Sequence, residues 1–256
     1  MTQKSIPITT VTFDQPIHPG QLRKIRGAII ESVMSFKPIF ETANVATEVF
    51  HNHLEKVAVP ALPEEVETPQ TGADRYYHYP LIQYQVRHKK AGITGIERGA
   101  QALQLWLSLV GDEITADGKT LSLTVHEHQH SHWTPTLLDE VTTYRINKWL
   151  PFNPKNYDLW RSTTRLTEKV KILDKLIWGH LFHLAEGLNI HLNKEVLQVY
   201  VSTIDMQTFK DCYNIKKLAL DISFCTNLNL PGEIGLGQGA TIGFGKVQKI
   251  TNKRRS

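Results

Sequence analysis

Along this chain, hydrophobic positions recur in some stretches at spacings of three and four, and in others at every second residue. The two periods predict helices and strands in turn. Residues 8–13 are rich in β-branched side chains, with Thr9, Val11 and Phe13 on one face, and predict a strand. His18, Pro19 and Gly20 break the chain; Leu22, Ile25, Ile29, Val33 and Phe36 then form one apolar helix stripe that leaves Arg23, Lys24 and Arg26 exposed. Residues 44–54 read as extended. Residues 57–74 read as a mobile loop, because Pro60, Pro63 and Pro69 with Glu64, Glu65 and Glu67 prevent regular structure. Strands follow at 76–87 and 91–96, and a helix at 97–110 turns Ala100, Leu103, Leu107 and Val110 inward. Asp117-Gly118 marks a hairpin whose second run extends over 121–133. This is the βαββαβ order of a ferredoxin-like domain.

The second half repeats the order incompletely. A strand at 141–149, one long helix at 157–186 ended by Gly187, strands at 196–204 and 216–227, and a final strand at 240–250 are expected. The segment from Pro231 to Gly239 stands where the second helix belongs, and it holds too much glycine to be helical. The fold expected is therefore α+β, two tandem ferredoxin-like domains spanning 1–136 and 137–256, the second with a glycine-rich loop in place of its last helix.

Composition sharpens this picture only at the edges. Apolar residues make up 41% and charged residues 21%, as in ordinary folded proteins. The two cysteines, Cys212 and Cys225, form no CxxC pair, which favours a reduced, cytoplasmic setting. The first ten residues lack an apolar signal core, and the stretch around Leu103 to Val110 is too short to span a bilayer, so neither secretion nor membrane insertion is expected. Charge is uneven: residues 1–136 carry 12 basic and 14 acidic side chains, residues 137–256 carry 17 and 11. That skew, with Lys246, Lys249, Lys253, Arg254 and Arg255 at the end, points toward a polyanion.

The glycine stretch is not a nucleotide fingerprint. Gly235, Gly237 and Ala240 satisfy a loose GxGxxG/A pattern, but a β-branched run follows them instead of a helix. Gly245-Lys246 is not a phosphate loop either, since Val247 stands where a magnesium-binding Ser or Thr is needed. What remains is a loop, Gly235-x-Gly237 and Gly243-x-Gly245, whose bare N–H groups suit close approach to another chain or an anion.

This glycine spacing resembles the C-terminal loop of the repeat-associated mysterious proteins of CRISPR systems. Two further stretches, Phe50-His51-Asn52-His53-Leu54 and Tyr77-His78-Tyr79-Pro80-Leu81-Ile82-Gln83-Tyr84, resemble segments of the sixth CRISPR-associated family, the endoribonucleases that cut CRISPR repeat RNA. Gly95-Ile96-Glu97-x-Gly99-Ala100 resembles the same family, while Phe50 departs from the family's leucine. The resemblance implies an RNA-cutting enzyme acting on CRISPR precursor RNA, with no metal and no cofactor. It implies His51, His53, Tyr77 and Tyr79 as catalytic residues, while the bare N–H groups of Gly235, Gly237, Gly243 and Gly245 and the charges of Lys246, Arg23 and Arg26 make these the expected RNA-binding residues. Other subunits of a CRISPR effector complex, or a second copy of the chain, are further candidate partners.

The residues fit that chemistry by themselves. On a strand, His51 and His53 share a face, whereas on a helix they diverge by about 200°. RNA carries its own nucleophile, the 2′-hydroxyl, so cleavage needs only a base for that proton and an acid for the leaving 5′-oxygen. Histidine, with an ordinary pKa of about 6.5, suits both tasks. The expected products carry a 2′,3′-cyclic phosphate and a 5′-hydroxyl. On a strand Tyr77 and Tyr79 also share a face, which allows either to steady the scissile phosphate, with Tyr84 as the core residue. His126, His128, His130 and His132 alternate onto one strand face, where a pair could ligate zinc if a third ligand came from elsewhere; a polar, solvent- or RNA-facing strand explains them too. His180 and His183 sit among apolar helix residues and read as packing or surface groups. A non-catalytic RNA-binding subunit of an effector complex is the alternative to the enzyme, and His51 and His53 discriminate between the two.

Overall fold

The structure, a computed structural model, describes residues 4–51, 78–116 and 118–250 of the chain. Its described residues divide into two compact units, one within Ser5–Thr134 with Thr241–Gly243, the other within Met1–Lys4, Pro135–Ala240 and Phe244–Ser256.

In the first unit, β1 (Ile6–Pro16) leads to α1 (Leu22–Ser35) and the short helix α2 (Lys37–Thr42), then to β2 (Ile82–Arg87), β3 (Lys90–Ile96) and α3 (Arg98–Leu109). A hairpin of β4 (Glu113–Ala116) and β5 (Lys119–Ser122) precedes β6 (Val125–Trp133). Four strands form one antiparallel sheet in the order β2-β3-β1-β6, the arrangement a βαββαβ chain makes when its first strand is central. Leu22, Ile25, Ile29 and Val33 of α1 are buried with Val11 and Phe13 of β1 and with Leu103 and Trp106 of α3. Phe13 and Trp106 meet edge to face, centroids 6.3 Å apart.

The second unit repeats the plan. β7 (Leu137–Trp149), helices α4 (Pro154–Ser162) and α5 (Leu166–Gly187), β8 (Val199–Cys212), β9 (Ile215–Leu228) and β10 (Lys246–Lys249) give a sheet in the order β10-β7-β9-β8. No α-helix lies between β9 and β10; the glycine-rich segment there holds only a three-residue turn of 3-10 helix, Ala240–Ile242. Tyr144 stacks on Phe224 at 5.8 Å, and its hydroxyl accepts a hydrogen bond from the Leu230 N–H at 2.9 Å. Among the described residues no helix is long and apolar enough to cross a membrane.

Several local expectations differ from the structure. The run expected over 121–133 is two strands, β5 and β6, parted at residues 123–124 and belonging to different sheets. Residues 44–51 are not extended: Thr47–Phe50 forms a 3-10 turn, drawn in because Phe50 buries its ring against Phe40 at 6.3 Å. The strand expected from residue 76 begins, among the described residues, only at Ile82, since Pro80 has no N–H to give a ladder. The long helix is two: the Thr163 hydroxyl and N–H and the Ser162 hydroxyl all converge on the Leu159 carbonyl, ending α4 before Leu166 starts α5. The last strand is shortened to four residues because Gly243 and Gly245 take φ of +85° and +66°, which a strand cannot accommodate.

Candidate active site

The 3-10 turn Thr47–Phe50 presents His51. Phe50 is fully buried and Thr47 nearly so, which anchors the turn from below. The His51 N–H donates to the Glu48 carbonyl at 2.9 Å, closing the turn. From α1, Arg26 donates from Nη2 to the His51 carbonyl at 2.8 Å. His51 is left half-buried. Burial first, and the Arg26 guanidinium second, hold its imidazole below the ordinary histidine pKa of 6.5; the Glu48 carboxylate opposes them. The side chain is therefore biased toward neutral imidazole, the form that accepts a proton.

Arg26 does not behave as the freely exposed cation expected of it, because its stem lies half-buried on α1 and its guanidinium is committed to His51. Its Nε is buried without a hydrogen-bond partner, as is the Tyr84 hydroxyl, whose pKa burial raises although the Arg26 charge works against it. Arg23, nearby on α1, is exposed. His53 and Tyr77 lie outside the described residues.

Tyr79 is placed differently from its expected role. It precedes β2, is 3% exposed, and its hydroxyl accepts from Gln83 Nε2 at 2.9 Å while the same nitrogen donates to the Pro80 carbonyl at 3.2 Å. Burial raises its pKa further from use at neutral pH. The Tyr79-to-Tyr84 stretch thus folds on itself as part of the core. Gly95 and Gly99 have the same kind of reason: a Cβ on Gly95 would strike the Gly99 carbonyl, and one on Gly99 the Leu81 carbonyl, so the turn into α3 closes only without side chains.

The glycine loop is filled by protein. A Cβ on Gly235 would lie 2.9 Å from that of Ala240; on Gly237, 2.8 Å from Trp149 Nε1; on Gly243, 3.1 Å from Leu22 Cδ1; and on Gly245 it would strike the Leu236 carbonyl. The Gly245 N–H donates to Lys148 O at 3.2 Å. Lys246 is paired with Glu233 at 3.0 Å, which takes up its charge. The sequence showed the glycines but not what fills the space beside them, which Trp149 and Leu22 supply from far along the chain and Ala240 and Leu236 from within the loop.

The histidine row on β6 is exposed and dispersed in its bonding. His126 Nδ1 lies 3.2 Å from Asp14, and His130 Nδ1 lies 3.0 Å from the Thr9 hydroxyl and 3.3 Å from Gln104. Among the described residues no group of three His, Cys, Asp or Glu side chains is arranged to hold a metal ion. His180 is a structural acceptor, taking a hydrogen bond from Trp149 Nε1 at Nδ1 across 3.1 Å.

The two units are ferredoxin-like folds in tandem, an architecture that by itself leaves the function open. Residues 64–134 match the model of the Cas6b N-terminal domain, and residues 136–250 that of the Cas6b C-terminal domain. The chain belongs to the Cas6b family. His51 and His53 precede the matched N-terminal segment. A crystal structure of Cas6b shares the fold at a TM-score of 0.71 and 17% identity, covering 96% of this chain and 100% of that one. A second, of the CRISPR RNA processing endoribonuclease Cas6b, does so at 0.65 and 14%, with coverage of 96% and 100%. Csf5, a CRISPR-Cas type IV Cas6 crRNA endonuclease, follows at 0.52 and 12%, with 97% and 100%. Comparison with curated proteins gives no match.

Proposed function

We propose that this chain cuts CRISPR precursor RNA within each repeat by a metal-independent reaction, with His51 as the general base. The observation that carries the reading is the placement of His51: its main chain fixed by Arg26, its imidazole half-buried and biased toward the neutral form. His51 takes the proton from the 2′-hydroxyl of the nucleotide before the cut. The 2′-oxygen attacks the adjacent phosphorus, the bond to the 5′-oxygen breaks, and an acid protonates that oxygen; His53 is assigned this role. The products carry a 2′,3′-cyclic phosphate and a 5′-hydroxyl. Tyr77 is the tyrosine left to steady the phosphorane, since Tyr79 is committed to the core. Arg23 meets the RNA backbone beside the site.

The test is incubation with end-labelled repeat RNA in EDTA, alongside the same RNA carrying a 2′-deoxy nucleotide before the cut. Cleavage of the first and survival of the second are expected. Loss of cleavage in EDTA, restored by magnesium, overturns metal independence. Cleavage of the 2′-deoxy RNA at the same bond overturns the nucleophile. Binding without cleavage in any buffer makes the chain a carrier of RNA.

A further inference from the structure

We propose that the outer face of α5 is a second RNA-binding surface, a basic and aromatic stripe on which unpaired nucleotides outside the cleavage site stack. The stripe lies wholly within the second unit. Lys171, Lys175, Trp178 and Phe182 are spaced by four, three and four residues, which places them on one side of α5. Leu173, Ile177, Leu181 and Leu184 of the same helix are buried, so the stripe turns away from the core. Lys171 and Lys175 are exposed, and Trp178 and Phe182 half-buried.

The two rings are neighbours, their centroids 4.1 Å apart and their planes tilted by 39°. Lys194, exposed beyond the end of the helix, holds its Nζ 6.0 Å from the Trp178 centroid and 5.6 Å from that of Phe182. A cation over paired rings, with two more cations one and two turns back, joins the two devices by which proteins hold single-stranded nucleic acid: a ring face for the base and a charge for the phosphate.

The surrounding charge has the sign this needs. Residues 154–194 carry seven Lys and Arg against four Asp and Glu. One of the four, Asp174, spends its carboxylate on the Val201 N–H at 2.6 Å. An apolar partner would leave Lys171, Lys175 and Lys194 without counter-charges, and an acidic peptide would leave the rings without stacking partners. RNA uses both.

The inference rests on RNA being the substrate, and the test separates the two. Binding of labelled repeat RNA by the full chain is followed by fluorescence anisotropy across a salt series, together with single-turnover cleavage at saturating protein. Trp178→Leu combined with Phe182→Leu keeps the positions apolar but removes the ring faces. It is expected to weaken binding about tenfold, within the range for loss of base stacking, with the saturated cleavage rate unchanged. Lys171→Gln with Lys175→Gln and Lys194→Gln, changes at exposed positions that leave the core untouched, are expected to lower the salt slope of log affinity by about 2, from roughly 0.7 for each single-strand phosphate contact. Unchanged affinity and slope in folded variants that still cut overturn the stripe alone, even if the stripe proves to hold a protein instead. Wild-type protein that neither binds nor cuts repeat RNA overturns the functional reading, and the stripe with it.

Discussion

Arg26 on α1 donates a hydrogen bond from Nη2 to the main-chain carbonyl of His51, 25 residues further along, across 2.8 Å. One guanidinium thus fixes where the imidazole hangs and, by its charge, disfavours protonation of that imidazole. Arg26→Met keeps the aliphatic stem and removes both effects. Single-turnover cleavage is expected to fall about ten- to a hundredfold, the scale of a small misplacement of a catalytic group. With the guanidinium gone, Glu48 is the remaining charge acting on His51, so the histidine pKa rises and the acid limb of the pH–rate profile moves to higher pH. An acid limb that stays in place would show that Arg26 only supports the fold.

His51→Ala is expected to lower the cleavage rate by about 10² or more while RNA affinity stays nearly intact, the usual scale for loss of a general base. In the wild type the acid limb should fall below pH 6.5, because burial and Arg26 both lower the His51 pKa. Near-wild-type cutting by the variant would remove His51 from the chemistry.

Gly237→Val is expected to act on stability before RNA binding. Gly237 has φ of +83°, and an added Cβ would crowd Trp149 Nε1 at 2.8 Å and His180 Cε1 at 3.1 Å, displacing the pair the loop packs on. A loss of about 2–3 kcal/mol follows from strain and overpacking together, read as a lower midpoint in urea unfolding. Weaker RNA binding with an unchanged midpoint would return the loop to direct RNA contact.

Gly99→Ala is expected to destabilise the first unit by about 1–3 kcal/mol, since the methyl meets the Leu81 carbonyl, a main-chain atom of the neighbouring segment that cannot step aside. Ala at the exposed helix position Gln101 serves as the control and should leave the unfolding midpoint within about 0.5 kcal/mol.

Acid lowers stability through His180. Its pKa falls from 6.5 to about 3, chiefly by burial and secondarily by the nearby His183, and neutral Nδ1 is what accepts the Trp149 indole N–H. The folded state therefore binds fewer protons than the unfolded one between these values, so stability present above pH 6.5 is lost as pH falls toward 3. His180→Gln keeps an acceptor and does not titrate. Thermal midpoints measured between pH 7 and 4 should decline less steeply in that variant; parallel curves would place the acid sensitivity elsewhere.

The sequence by itself determined the order of elements, because that order is carried by local periodicity. The stripe from Leu22 to Val33, the β-branched alternation around Val11 and the Asp117-Gly118 hairpin signal each act over a few neighbouring residues, and one βαββαβ pass followed by a second that lacks its last helix comes from stringing such signals together. It also marked the glycine segment as non-helical, since glycine's cost in a helix is intrinsic. Tertiary structure decided whatever depended on partners remote in sequence. Phe40 pulls Phe50 inward, so His51 leaves a turn and not a strand. Arg26, exposed by its helix position, is claimed by a carbonyl no periodicity predicts. Tyr79, paired with Tyr77 by alternation, is buried by a fold-back onto Gln83. Trp178 and Phe182 carry no signal of their own in the sequence, because a ring at helical spacing reads the same whether it faces core or solvent. Hydrophobic pattern fixes which way an element faces; only packing says what stands opposite.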